Sequence, residues 1–187
     1  MKITDDFKVF FPAFTREKAE AAGVHLVETE KPYPMMEGTI LFLGGIPRRT
    51  AFEKGAPNLC YEEDGVEKQD PIDDDSALVF NVKNKGLVIL SGCAHAGIVN
   101  TVEYAREVTG VHEICAVMGG FHLTGADMDA VIAPTTQALK ALDPVYIIPT
   151  HFIPTHCTGR AAVMHIEKEM PDKFLLNMSG TRMTFAA

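Results

Sequence analysis

Apolar residues follow two different rhythms along the chain, and the change comes near Ser76. Ahead of it, short apolar runs at 9–11, 24–27 and 40–43 read as strands separated by turn-rich stretches. Thr15 is placed to cap a short helix that runs through Ala22 and that Gly23 ends. Residues 47–75 are polar, carry Gly55, Pro57, Gly65 and Pro71, and keep no period, so a long surface excursion is expected there, either functional or a plain insertion.

Beyond Ser76 the runs become longer and richer in Val, Leu and Ile. Residues 77–82 and 87–90 are expected to pair as a hairpin around Asn84-Lys85-Gly86. A strand-loop-helix unit then occurs three times. Strand 87–90 leads through Ser91-Gly92-Cys93-Ala94-His95-Ala96-Gly97 into a helix over 98–108, with Ile98, Val102, Ala105 and Val108 on one face and Gly110 as the stop. Strand 114–118 leads through Gly119-Gly120-Phe121-His122-Leu123 to a helical stretch over 127–142, which Pro134 is expected to kink or split. Strand 145–148 leads through two loops holding His151 and His156 to a helix over 160–169. Residues 174–178 and 183–185 read as a closing pair of strands around Ser179-Gly180. The alternation implies an α/β fold with a largely buried sheet faced by helices.

In each unit a histidine stands past the carboxyl end of an apolar strand, in a loop holding glycine or proline. Such loops gather on one edge of an α/β sheet, where ligands bind, so residues distant in sequence converge there. Neutral imidazole is a common ligand for zinc and similar ions, which take three or four donors from a rigid frame. His95, His122 and His156 are therefore the candidate metal ligands. His151 is a further candidate, because Ile148-Pro149-Thr150-His151 is echoed by Ile153-Pro154-Thr155-His156 and only one of the two need face the site. Cys93 and Cys157 flank these histidines and are secondary candidates, though cysteine is equally a small buried hydrophobe. Asp73, Asp74 and Asp75 offer a carboxylate or simply a charged turn. Gly97, Gly120, Thr158 and Gly159 are candidates for an anion-binding rim near helix starts; tight turns are the competing explanation. His25, His112 and His165 lie beside strands or within a helix and are read as ordinary polar residues.

Bulk properties narrow the classes. A chain of 187 residues with a formal charge of -8 is long enough for one buried domain and offers no basic surface to neutralise phosphates along a nucleic acid. The first residues mix charges with apolar side chains, and no run reaches membrane-spanning length, so neither a signal peptide nor a membrane partner is expected. Four cysteines without a C-x-x-C pair fit reduced thiols in the cytoplasm.

The strings Ser91-Gly92-Cys93-Ala94-His95-Ala96-Gly97-Ile98-Val99-Asn100, Gly119-Gly120-Phe121-His122-Leu123 and His156-Cys157-Thr158-Gly159 resemble the metallo-β-lactamase superfamily. With Gly45-Ile46-Pro47-Arg48-Arg49-Thr50 and Asp74-Asp75-Ser76-Ala77-Leu78-Val79, they are similar to its branch of dihydropterin ribofuranosylaminobenzene phosphate synthase-like proteins. The resemblance implies an αββα sandwich with one or two metal ions, zinc first and manganese or iron as substitutes. It implies hydrolysis of an ester, lactone or phosphodiester by a metal-bound water. It matches His95 to the third metal motif and His156 to the last, and puts His122 near a position where many relatives carry a bridging aspartate. The superfamily's His-x-His-x-Asp-His motif does not occur in these 187 residues. The expectation is therefore a C-terminal portion of the fold, with a reduced site and an apolar sheet face that a homodimer or a partner subunit covers. A small, anionic substrate fits this picture. A non-catalytic ligand-binding or accessory half-domain, or a truncated piece of a larger hydrolase, are the alternatives.

Overall fold

The computed structural model describes residues 2–4, 7–8, 15–55, 59–142, 151–155 and 157–186. In chain order its strands are β1 (Lys2–Thr4), β2 (Phe7–Lys8), β3 (Tyr33–Met35), β4 (Ile40–Leu43), β5 (Cys60–Glu63), β6 (Val66–Gln69), β7 (Ala77–Val82), β8 (Gly86–Ser91), β9 (Ile114–Gly120) and β10 (His151–Thr155). Its helices are α1 (Arg16–Ala21), α2 (Ile98–Thr109), α3 (Asp129–Ala141) and α4 (Arg160–Glu169).

Among the described residues six strands form the main sheet in the order β10-β9-β8-β7-β4-β3. β8, β9 and β10 run parallel, while β7, β4 and β3 continue the sheet antiparallel. Burial follows this division. β7 alternates buried and half-buried residues along its first four positions, as in a sheet covered better on one face than the other, whereas β8 and β9 are near-continuous apolar runs buried on both sides. Leu87, Ile89 and Val117 face the larger core, which α2, α3 and α4 close with Ile98, Val102, Leu139, Ala162 and Ile166. Val88 and Ala116 point the other way into a smaller core shared with Phe80, Val82, Met118 and Phe185. The hairpin between β7 and β8 turns through Asn84 and closes on Gly86, where any side chain would meet the Glu113 carbonyl oxygen at 2.2 Å.

The expected α/β architecture is present, with several departures. Residues 24–27 form no strand: among the described residues no strand pairs with them, and Val24 and Val27 are about half exposed. The excursion at 47–75 contains a hairpin, β5 with β6, turning on Asp64-Gly65 with both residues left-handed. Val108 is exposed, because at 3.6 residues per turn it lies roughly a quarter-turn away from the Ile98–Val102–Ala105 stripe. α3 runs unbroken through Pro134, held by Ile132, Thr135, Thr136 and Leu139, which are buried on both sides of it. The tail makes the expected turn, with the Thr181 N–H donating to the Met178 carbonyl at 2.9 Å, but its flanks are not strands and only Phe174 forms an isolated bridge. The strands expected at 9–11 and 145–148 lie outside the described residues. Among the described residues no helix is long and apolar enough to cross a membrane.

Candidate metal centre

β8 and β9 end side by side, with Ser91 paired to Gly119, so the loops that follow them start from the same edge of the sheet. The Ser91 hydroxyl donates to the Gly120 carbonyl at 2.9 Å and stitches the two ends together. The first loop makes a left-handed residue of Ala94 just before His95, and the second makes one of His122 itself (φ 46°). Such backbone is costly for a non-glycine residue and persists only where its surroundings enforce it. Its consequence is that the His95 and His122 rings meet, with centroids 4.1 Å apart and planes inclined at 47°.

Both rings are partly buried, and the Nδ1 atom of each is buried without a hydrogen-bond partner among the described residues. Burial lowers the His95 pKa, against Asp75 and Asp74, which raise it. Burial, helped by His95, lowers His122 from 6.5 to about 4. Two neutral imidazoles with uncompensated nitrogens in mutual contact are a donor pair that suits a divalent cation. They stand at one side of a cavity of about 410 Å³ that Phe52, Lys54, Gln69 and Met128 also line.

The third unit contributes differently from the expectation. His151 lies in β10 and not in a loop, its Cα opposite Ala116; Thr155, at the strand's other end, is opposite Gly120. Four residues of strand, about 13 Å, therefore separate the His151 backbone from the edge where the His122 loop begins. His156 lies outside the described residues. Among the described residues no group of three or more His, Cys, Asp or Glu side chains is arranged to hold a metal.

No family model matches the chain. Over 162 residues, 85% of its length, the chain is 35% identical to the 7,8-dihydropterin-6-methyl-4-(β-D-ribofuranosyl)-aminobenzene-5'-phosphate synthase of Methanocaldococcus jannaschii, of which it covers 52%. An uncharacterized protein of the same organism is 32% identical over 139 residues, 74% of this chain and 47% of that protein. The chain thus spans about half the length of the curated relatives it matches. The crystal structure of a metal-dependent hydrolase of the β-lactamase superfamily superposes with a TM-score of 0.72 at 25% identity, covering 88% of this chain and 59% of that one. The chain has the fold of that β-lactamase-superfamily hydrolase and is similar in sequence to the synthase.

The motif residues that suggested the superfamily turn out to hold the loops. Thr158 and Gly159 grip the His122 loop at two points: the Phe121 N–H donates to Thr158 Oγ1 at 3.0 Å, and the Gly159 N–H donates to the Leu123 carbonyl at 2.9 Å. The candidates for an anion-binding rim have partners of their own. Thr158 and Gly159 are engaged within the chain. The Gly120 N–H donates to the Gly92 carbonyl at 2.9 Å, and the Gly97 N–H to the Ala94 carbonyl at 3.0 Å. At the start of α2 the anion is the chain's own Glu53, which accepts from the Val99 N–H at 2.9 Å and the Asn100 N–H at 3.0 Å. Among the described residues Cys93 and Cys157 form no group of three or more metal donors with the histidines. The Cys157 thiol donates to the Cys93 carbonyl at 3.2 Å, and burial pushes it up to about 11.

Three positioning residues carried weak signals. Glu53 is 6% exposed; burial pushes its carboxyl up, against the amides of Val99, Asn100 and Ile98 and the Thr50 hydroxyl. Its only sequence signal was Thr50-x-x-Glu53 in a stretch without period. Asn100 accepts from the Arg49 and Thr50 N–H groups at 2.9 and 3.0 Å and donates to the Ala96 carbonyl at 2.8 Å, so it fastens the 49–53 loop to α2. Asp75 is buried and accepts from the Ala96 N–H at 2.8 Å, steadying the residue after His95.

Proposed function

We propose that the chain is the metal-holding part of a hydrolase, in which His95, His122 and His156 bind one divalent ion, zinc in the first instance and manganese or iron as substitutes. The observation that carries this reading is the contact between the His95 and His122 rings, each with a buried and unpartnered Nδ1 among the described residues. When bound, such an ion lowers the pKa of water and stabilises charge developing on an ester, lactone or phosphodiester oxygen. The protein's own contribution is a fixed pair of neutral imidazoles beside a walled cavity. Phe52, Met128 and Val131 give that cavity apolar surface, and Lys54 gives it a positive charge to orient a small anionic substrate. The name of the Methanocaldococcus jannaschii relative, a synthase, favours a second reading in which the same site acts on a pterin or a ribose phosphate. We also place the chain in the cytoplasm, a reading that its four free cysteines support, and propose that it works as a homodimer.

The decisive experiment is elemental analysis of purified protein dialysed after loading with limiting zinc, manganese or iron. About one ion per chain is expected to stay bound, with turnover of p-nitrophenyl acetate or bis(p-nitrophenyl) phosphate. His95→Ala and His122→Ala should each lose both. Retention of the ion by both variants, or no retained ion in the parent, overturns the reading. A loaded parent inert on both esters would shift it to the synthase alternative.

A further inference from the structure

We infer that Cys93 and Cys157 are a modification site, forming a reversible disulfide that ties the loop after β8 to the segment before α4. The two residues are 64 positions apart in sequence, yet the Cys157 sulfur lies 3.2 Å from the Cys93 carbonyl oxygen. Gly120 makes the room for this. A Cβ at Gly120 would sit 2.8 Å from the Cys157 sulfur and 3.0 Å from the Cys93 Cα, so both cysteines close on one point that only a glycine leaves open. Both are partly exposed, within reach of a small oxidant. The other two cysteines are differently placed: Cys115 is buried in the smaller core and Cys60 lies in the β5–β6 hairpin.

The oxidant is hydrogen peroxide, which takes two electrons from the pair. Its distal oxygen converts one thiol to a sulfenic acid and the other oxygen leaves as water. The second sulfur then displaces hydroxide from the sulfenic sulfur, forming the S–S bond, and its proton makes the second water. A dithiol reverses the step. The bond joins the loop bearing His95 to Cys157, whose neighbours Thr158 and Gly159 hold the His122 loop, so oxidation restrains both histidine loops together. This inference does not depend on metal binding or on hydrolysis.

The test is mild oxidation of the full chain with hydrogen peroxide, alkylation of remaining thiols with iodoacetamide, and peptide mapping without reductant. The expected result is loss of two hydrogens, alkylation of Cys60 and Cys115 only, and a Cys93–Cys157 linked peptide pair that dithiothreitol releases. The melting temperature should rise by roughly 5–10 °C on oxidation. Cys93→Ser and Cys157→Ser should each abolish the link, while the mapping of the parent stands if either variant folds poorly. Four alkylated cysteines, a link that uses Cys60 or Cys115, a link between chains, or sulfinic acid at Cys93 or Cys157 would each overturn the proposal.

Discussion

His122 combines a left-handed backbone with a ring whose proton affinity burial has reduced. Between pH 6.5 and about 4 the unfolded chain takes up a proton at this residue that the folded chain refuses. In metal-free protein the stability associated with it is therefore fully present above pH 6.5 and is lost as the pH falls towards about 4, with no further loss below. Urea midpoints measured across that window should fall with pH in the parent and fall less steeply in His122→Asn; equal slopes would show that His122 is not the titrating group. At this scale the sequence was informative about position. His95 and His122 were marked by the ends of two apolar strands, because a parallel sheet must deliver its carboxyl-terminal loops to one edge. It was uninformative about Glu53 and Asp75, whose roles depend on which amides come near them after folding. The four anion-rim positions show the same limit from the other side. A glycine or threonine beside a helix start reads alike whether its amide or hydroxyl faces a ligand or a neighbouring loop.

At the scale of elements, α2 shows how a helix terminus fixes a site. Its N-cap is Gly97, which supplies no side-chain oxygen, so Glu53 accepts the N–H groups of Val99 and Asn100 from a loop far away in sequence. Glu53→Ala should destabilise the fold by about 2–4 kcal/mol in urea titration, because two buried amides lose their acceptor. Glu53→Gln, which keeps the volume and one carbonyl, should cost less; a neutral Glu53→Ala would mean that the cap contributes nothing. The hairpin β5–β6 had a local signal in the sequence. Asp64-Gly65 is a strong two-residue turn signal, and it lay in a stretch whose polarity suggested an irregular excursion. The run at 24–27 shows the opposite: its residues favour a strand, and among the described residues no neighbouring strand gives them hydrogen bonds.

For the whole molecule the decisive feature is asymmetry between the two faces of the main sheet. α2, α3 and α4 close one face, whereas over the other the tail brings Met183 and Phe185 to a groove of about 430 Å³ lined by Phe80, Val82, Leu90 and Met118. A partly covered apolar sheet is a surface for association. With the homodimer proposed above, light scattering should give twice 20.4 kDa, and Leu90→Asp should reduce it to a monomer. A stable monomer in the parent would remove that proposal and leave the histidine site standing. The sequence of elements β7, β8, α2, β9, α3 and α4, the α/β class and the two histidine-bearing loops were determined by sequence, because apolar periodicity and turn residues act locally. Tertiary structure alone decided that His95 meets His122, that Glu53 caps α2, and that Thr158 and Gly159 grip the His122 loop. These are meetings between segments tens of residues apart, and their partners are chosen by packing and by the need to satisfy buried amides, which no local pattern encodes.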